Sequence, residues 1–412
     1  MIRKLSSVTA AVFAVAMVQL GNADAQSANE INTSTMKIDF MGAVHLEETG
    51  IVVAGHNGLV GTLVLEGEEA TLSTFDDVPN EDYTAIQKIS ASEAFIGASN
   101  GKLYKLSGSS VQFVGEVSEY EEPVLDIAHL NGVTWVVGAR GMVARSTNSQ
   151  DFEILEIRDV NMPKVNFPGG QPADWYLGVQ NLDTDTLEFK AFVNGKPAIS
   201  EEHYLLYPDE GFIQVHEQLD MNPPPSVSTR FAPGPPFRGG DVSWNKVLLS
   251  EGLITLAGEF GLIIQSKDGG ETWVRRNTKI VPREPEPAYW MSGVQNGDNL
   301  WLAGAAGVNA FSKDNGKTWR NNAKPGREGI FGVALADDGT PVITGAVGLI
   351  GQFKNNDWEL ADRTELRILS WLKNPVVLPD GGLLVLGGRA TAISLKEGQY
   401  KKINVRLANE AG

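Results

Sequence analysis

The chain has 412 residues, with 34 Lys+Arg against 51 Asp+Glu, no cysteine, 45 glycines and 20 prolines, and is 42% hydrophobic. Length and apolar content suffice for a large core, and a formal charge of −17 argues against general affinity for nucleic-acid backbones or anionic membrane faces. Without cysteine there is no disulfide framework, thiolate zinc site, thiol nucleophile or cysteine-linked lipid anchor.

The first element is an address. Arg3 and Lys4 precede an apolar run from Val8 to Leu20, and Ala23-Asp24-Ala25 places small residues where a signal peptidase cuts. The run falls short of the ~20 residues that cross a bilayer. Residues 1–25 are therefore expected to be a cleaved signal peptide, the mature chain periplasmic or secreted, and no later segment inserted in a membrane.

From residue 38 a glycine-punctuated unit recurs. A short apolar strand runs into a Gly-x-x-Gly step and out into a second apolar strand, as in IVVAGHNGLVGTL from Ile51 and WVVGARGMVARS from Trp135. The leading glycines are Gly55, Gly97, Gly138, Gly258, Gly304, Gly345 and Gly387, at intervals of 42, 41, 120, 46, 41 and 42 residues. Two copies depart from the pattern: Gly101 arrives one residue late, and Ala390 stands for the second glycine. A period near 42 residues holding two hairpins is one four-stranded blade, whose two apolar faces are covered only when blades stack in a ring. The expected fold is an all-β propeller of seven four-stranded blades, or eight with one diverged, spanning 26–412, with clear blades at 38–157 and 241–402. Closure by an N-terminal strand at Met36–Phe40 is an open alternative.

The long interval marks residues 159–240 as a β-rich insertion or diverged blade, with strand-like runs at Leu187–Val193 and Gly211–Glu217 and a turn at Asn194-Gly195. Its proline-rich end carries Arg230 and Arg238, and a second proline strap lies at Pro282–Pro287. Proline removes ladder donors, so both are expected as extended surface segments.

Two copies of an octapeptide begin eight residues after a leading glycine. Ser266, Asp268, Gly270, Thr272 and Trp273 match Ser312, Asp314, Gly316, Thr318 and Trp319 in the pattern S-x-D-x-G-x-T-W, with a worn copy at Ser146-Thr147-Asn148. The aspartate is expected to bind turn N–H groups, the glycine to supply positive φ, and the tryptophan to wedge between sheets.

This octapeptide is similar to the Asp-box, or BNR, repeat of sialidase-type propellers. Paired with the Gly-x-x-Gly strand it more closely resembles the photosystem II stability and assembly factor family, over 38–157 and 241–402. The resemblance implies a non-enzymatic scaffold or assembly factor that binds a protein partner, such as an envelope or membrane protein complex or a transporter, through an arginine-rich face. On that implication the partner-binding residues are Arg140 and Arg389, which share the inner place of their Gly-x-x-Gly steps, joined by Arg230 and Arg238. No cofactor is implied.

Sialidase chemistry would need an Arg-Ile-Pro element, which does not occur, and an arginine clamp, whereas Arg140, Arg145 and Arg158 are the only arginines in the blades before the insertion. A secreted glycoside hydrolase or a carbohydrate-binding propeller stands as the alternative. His45, His56, His129, His203 and His216 lack metal-ligand spacing, and the glutamates at 66–69 and 116–122 lack a calcium-loop pattern, so no metal is expected.

Overall fold

The computed structural model describes residues 37–157, 242–276, 288–317, 319–368 and 370–408, with short strands at Trp175–Gly178, Phe192–Val193, Lys196–Pro197, Tyr204–Tyr207 and Phe212–Val215. The signal segment, Arg230, Arg238, both proline straps and Thr318 lie outside them.

The protein is an all-β propeller. Among the described residues there are seven four-stranded antiparallel units, blades 1 to 7 in chain order, whose innermost strands are Phe40–Leu46, Tyr83–Lys88, Val124–Leu130, Trp244–Ser250, Trp290–Asn296, Ile330–Leu335 and Leu372–Val377. Each innermost strand packs on the next, and Leu372–Val377 packs back on Phe40–Leu46. Blades 3 and 4 touch in the same way, although the insertion joins them in sequence. Within it, Phe212–Val215 pairs with Trp175–Gly178 and Tyr204–Tyr207, and Phe192–Val193 with Lys196–Pro197; the expected turn at Asn194-Gly195 lies outside the described residues.

Closure comes from the C-terminal end. Gln399–Leu407 pairs antiparallel with blade 7 through Gln399–Ile403, then runs on as Asn404–Leu407, parallel to the outer strand of blade 1 at Glu69–Leu72. Leu407 is buried there with Leu72 and Ile403, and Arg406 reaches Glu69 at 2.6 Å. The N-terminal end adds backbone contacts to blade 7, from Ala390 N–H to Ile38 O at 2.7 Å and from Arg389 N–H to Asp39 Oδ1 at 3.0 Å, with Ile38 buried beside Ala390.

The core lies between blades. Trp135 of blade 3 meets Trp273 of blade 4 edge-on, ring centroids 6.0 Å apart, in a cluster with Trp244 and Leu256. One blade further on, Trp319 packs with Ile263, Ala257 and Trp290. Each tryptophan fills the gap to the preceding sheet, and its loss would forfeit about 3–5 kcal/mol.

The leading glycines have one steric cause. A Cβ on Gly304 would stand 1.7 Å from the Tyr289 carbonyl oxygen, one on Gly138 2.2 Å from that of Pro123, and one on Gly387 1.9 Å from that of Trp371. Gly55, Gly258 and Gly345 face the equivalent oxygens of Asp39, Ser243 and Gly329. Their φ is extended, so the requirement is close approach and not a left-handed backbone. The departure at Gly97 shows here too, since its Cβ would meet the Val124 side chain of blade 3.

Gly304→Ala should therefore cost more than about 2 kcal/mol, whereas Gly115→Ala, at a site with nothing within 4 Å, should stay within about 0.5 kcal/mol of wild type. Urea titration of both variants measures the difference.

Candidate binding face

After each pinched glycine the chain makes a tight turn. In blade 3 the Met142 N–H bonds Ala139 O at 3.1 Å, and Arg140 and Gly141 between them have φ of 51° and 76°. Two successive positive φ values define a type I′ turn, the form whose twist matches a hairpin. The same turn recurs with Asn57, Phe260, Ala306, Val347 and Arg389 in the place of Arg140, at φ of 53–57°.

A residue in that place projects away from the sheet. Arg140 has 77% of its side chain exposed, Phe260 is 58% and Val347 68% exposed, and Ala306 and Arg389 are exposed as well. Because these turns join second to third strands, they lie at the same end of the ring as the blade-to-blade connections. From blade 3 to blade 7 the outward residues read Arg140, Phe260, Ala306, Val347, Arg389, an arc with a cation at each end and apolar groups between.

Arg140 and Arg389 therefore share a turn position but not a neighbourhood. Blades 4–6 separate them one way and blades 1 and 2 the other, so they do not converge on one carboxylate. Arg140 lies 3.9 Å from Glu122, a carboxylate that also accepts from the Ser118 hydroxyl. The Arg389 N–H donates to Asp39 Oδ1 at 3.0 Å, leaving its guanidinium at the surface. Phe260 and Val347 share the register of Arg140 and Arg389, but as apolar residues beside strands they carry no signal in the sequence.

Octapeptide residues shape the opposite end, between third and fourth strands. The Ser266 hydroxyl donates to Asp268 Oδ1 at 2.7 Å and accepts the Gly270 N–H at 2.8 Å. Asp268 accepts the Thr272 N–H at 2.9 Å, and Trp273 Nε1 donates to Gly270 O at 3.0 Å. Ser312, Asp314, Gly316 and Trp319 repeat the serine and tryptophan bonds, with Ser312 Oγ to Asp314 Oδ1 at 2.7 Å, Gly316 N–H to Ser312 Oγ at 2.8 Å and Trp319 Nε1 to Gly316 O at 2.9 Å. In the worn copy Asn148 Oδ1 takes the N–H groups of Gln150 and Asp151, both at 2.9 Å.

These turns lock blade to blade. Arg145 Nη1 of blade 3 donates to Gly269 O of blade 4 at 2.6 Å, and Gln265 of blade 4 donates to Asn315 O of blade 5 at 2.7 Å. Gln352 of blade 6 reaches Gly398 O of blade 7 at 3.3 Å. Every donor comes from a third strand and every acceptor from the next blade's turn, so the octapeptide residues are framework.

The acidic runs are engaged locally: Glu69 with Arg406, Glu68 with Lys401 at 3.8 Å, and Glu122 with Ser118. His56 sits in a turn, 3.9 Å from Asp39. Among the described residues no three His, Asp or Glu side chains gather as a metal site would require, and no helix is long and apolar enough to cross a membrane.

No protein-family model matches this sequence. No curated protein matches it either. Among solved structures the chain is similar to YCF48 bound to D1 peptide, at 12% identity over 77% of this chain and 80% of that one, with a TM-score of 0.46. It is also similar to the WD40 β-propeller domain of Doa1, at 9% identity over 87% and 93% and a TM-score of 0.49. BamB from Moraxella catarrhalis matches at 13% identity over 89% and 97%, with a TM-score of 0.46. The propeller itself rests on the strand pairing described above.

The Thr272 hydroxyl, then the Thr272 N–H and the Ser266 hydroxyl, hold the Asp268 carboxyl down at about 2. A depressed carboxylate stabilises the fold above its unfolded value near 4 and loses that contribution as pH falls through about 2. Asp268→Asn should therefore melt below wild type at pH 7, with the difference shrinking toward pH 2. Thermal melts across that range provide the check.

Proposed function

We propose that the protein is a non-enzymatic scaffold, and that the end of the ring carrying the Gly-x-x-Gly turns holds an extended segment of a protein partner. The observation that carries this reading is the choice of residues at the left-handed turn position. Asn or Gly suits that conformation, as at Asn57, whereas a β-branched or aromatic side chain is strained there by about 1–2 kcal/mol. Val347 and Phe260 accept that strain and stand in solvent. Among the described residues nothing in the packing of the blades calls for them, so a requirement outside the fold is the simpler account.

The arc also indicates what it would hold. Apolar groups at Phe260 and Val347 suit hydrophobic side chains, and the flanking guanidiniums of Arg140 and Arg389 suit acidic residues several positions apart along one strand-like segment. Spacing across five blades favours an extended chain over a compact ligand. The signal-like first 25 residues support a partner in the cell envelope, proposed to be a membrane protein complex or a transporter. Arg230 and Arg238 belong to the segment that joins blades 3 and 4 in sequence, and are proposed as further contacts.

Affinity capture from envelope extracts, with the mature chain as bait, should recover one stoichiometric partner. Replacing Arg140, Phe260 and Arg389 together by Ala should reduce that recovery at least about tenfold, with an unchanged melting curve. Recovery unaffected by the triple substitution would remove this face from the proposal. Separately, Val347→Asn should stabilise the fold by about 0.5–1 kcal/mol while weakening capture, as read by urea titration and pull-down on the same preparation.

A further inference from the structure

The innermost strands enter the ring at the end that carries the arc, and their first residues surround the mouth of the central channel. Most are apolar or small there: Met41, Leu125, Met291 and Phe331. Three charges interrupt them, Lys373 in blade 7, Asp126 in blade 3 and Lys246 in blade 4.

Asp126 and Lys246 form a pair. Lys246 Nζ lies 2.9 Å from Asp126 Oδ2, which also accepts the Val247 N–H at 2.9 Å and so ties blade 3 to blade 4. Lys373 differs. Its ammonium donates to the Thr84 carbonyl of blade 2 at 3.2 Å, so the side chain passes the whole of blade 1 and reaches over the channel. Among the described residues no carboxylate lies within 4 Å of it. The three charges sum to one net positive charge at the mouth, in a chain whose formal charge is −17.

Structural support is a poor explanation for that ammonium. Burial pushes Lys373 down to about 8, against the attraction of Asp126 on the blade 3 strand and with the repulsion of Lys246 on the blade 4 strand. A side chain that desolvates a charge to make one bond to a neutral carbonyl gives the fold less than an apolar chain of equal length would. The mouth also stays open to solvent: Lys373 is half-buried, and Lys246 and Asp126 keep 23% and 17% of their side-chain exposure.

We propose that the channel mouth is a carboxylate-binding site, in which the Lys373 ammonium receives the anion and Lys246, held by Asp126, adds a second positive charge on the far side. The carboxylate comes either from an acidic residue or chain end of a bound polypeptide, or from a small free acid. This site is independent of the arc: the one needs Lys373, the other needs the turn residues.

The test titrates the full chain with succinate and, separately, with a triglutamate peptide, by calorimetry and by thermal shift. Both probes, or the peptide alone, should bind wild type and raise its melting temperature. Lys373→Met should melt at or above wild type without ligand and bind at least about tenfold more weakly. The triple replacement of Arg140, Phe260 and Arg389 should leave succinate binding unchanged. A response to the peptide alone assigns the carboxylate to a polypeptide, and a response to succinate as well admits a free acid. Equal responses in wild type and Lys373→Met, or none in either, would overturn the site, as would a Met variant that melts lower yet binds normally. Should that variant not fold, Lys373→Arg must keep the response and Lys373→Gln must lose it.

Discussion

The architecture depends on one close approach, repeated around the ring. In six blades the last residue of the second strand lies so near the carbonyl that precedes the first strand that a Cβ there would fall within about 2 Å of oxygen. That same carbonyl, where it is Pro123, Ser243, Tyr289, Gly329 or Trp371, accepts the next N–H along the chain, as from Ala346 to Gly329 at 2.9 Å. The pinch fixes where the hairpin turns, and the turn is then obliged to take two left-handed residues. Everything at that end of the ring, from the outward arc to the level of the channel mouth, follows from this constraint.

A second set of contacts works at the opposite end. There the octapeptide turns are held rigid by serine and aspartate oxygens, and their carbonyls receive donors from the preceding blade. Rigidity and docking combine, because a turn whose own N–H groups are satisfied presents its carbonyls in a fixed direction to the neighbouring Arg145 or Gln265. Tryptophan fills the gap beneath. The two ends thus have different work: one binds blades together, and the other is left free to vary. That division makes strained, exposed residues at the variable end informative and buried polar residues at the fixed end unsurprising.

Much of this was legible in the chain. The recurring glycines gave the blade period, and the two departures from pattern, at Gly101 and Ala390, coincide with a shorter turn in blade 2, between Ala98 and Lys102, and with an alanine held at φ of 51° in blade 7. Arg140 and Arg389 could be placed in one register because the repeat defines a register. The arc went unseen because charge attracts notice in an acidic sequence, whereas Phe260 and Val347 look like ordinary strand residues until their backbone is known. Closure by Asn404–Leu407 was invisible for a related reason: four residues of a terminal strand carry no motif, and their partner at Glu69–Leu72 is more than 300 residues away.

Sequence alone determined what repeats. A residue needed for a local steric reason must be spelled out in every copy, so glycines, octapeptide and tryptophans can be read without coordinates. Tertiary structure decided what occurs once: the parallel strand that shuts the ring, the separation of Arg140 from Arg389, and the reach of Lys373 over the channel to Thr84. Each of these brings together residues from blades distant along the chain, and the meeting depends on how the blades close on one another, which no single repeat encodes.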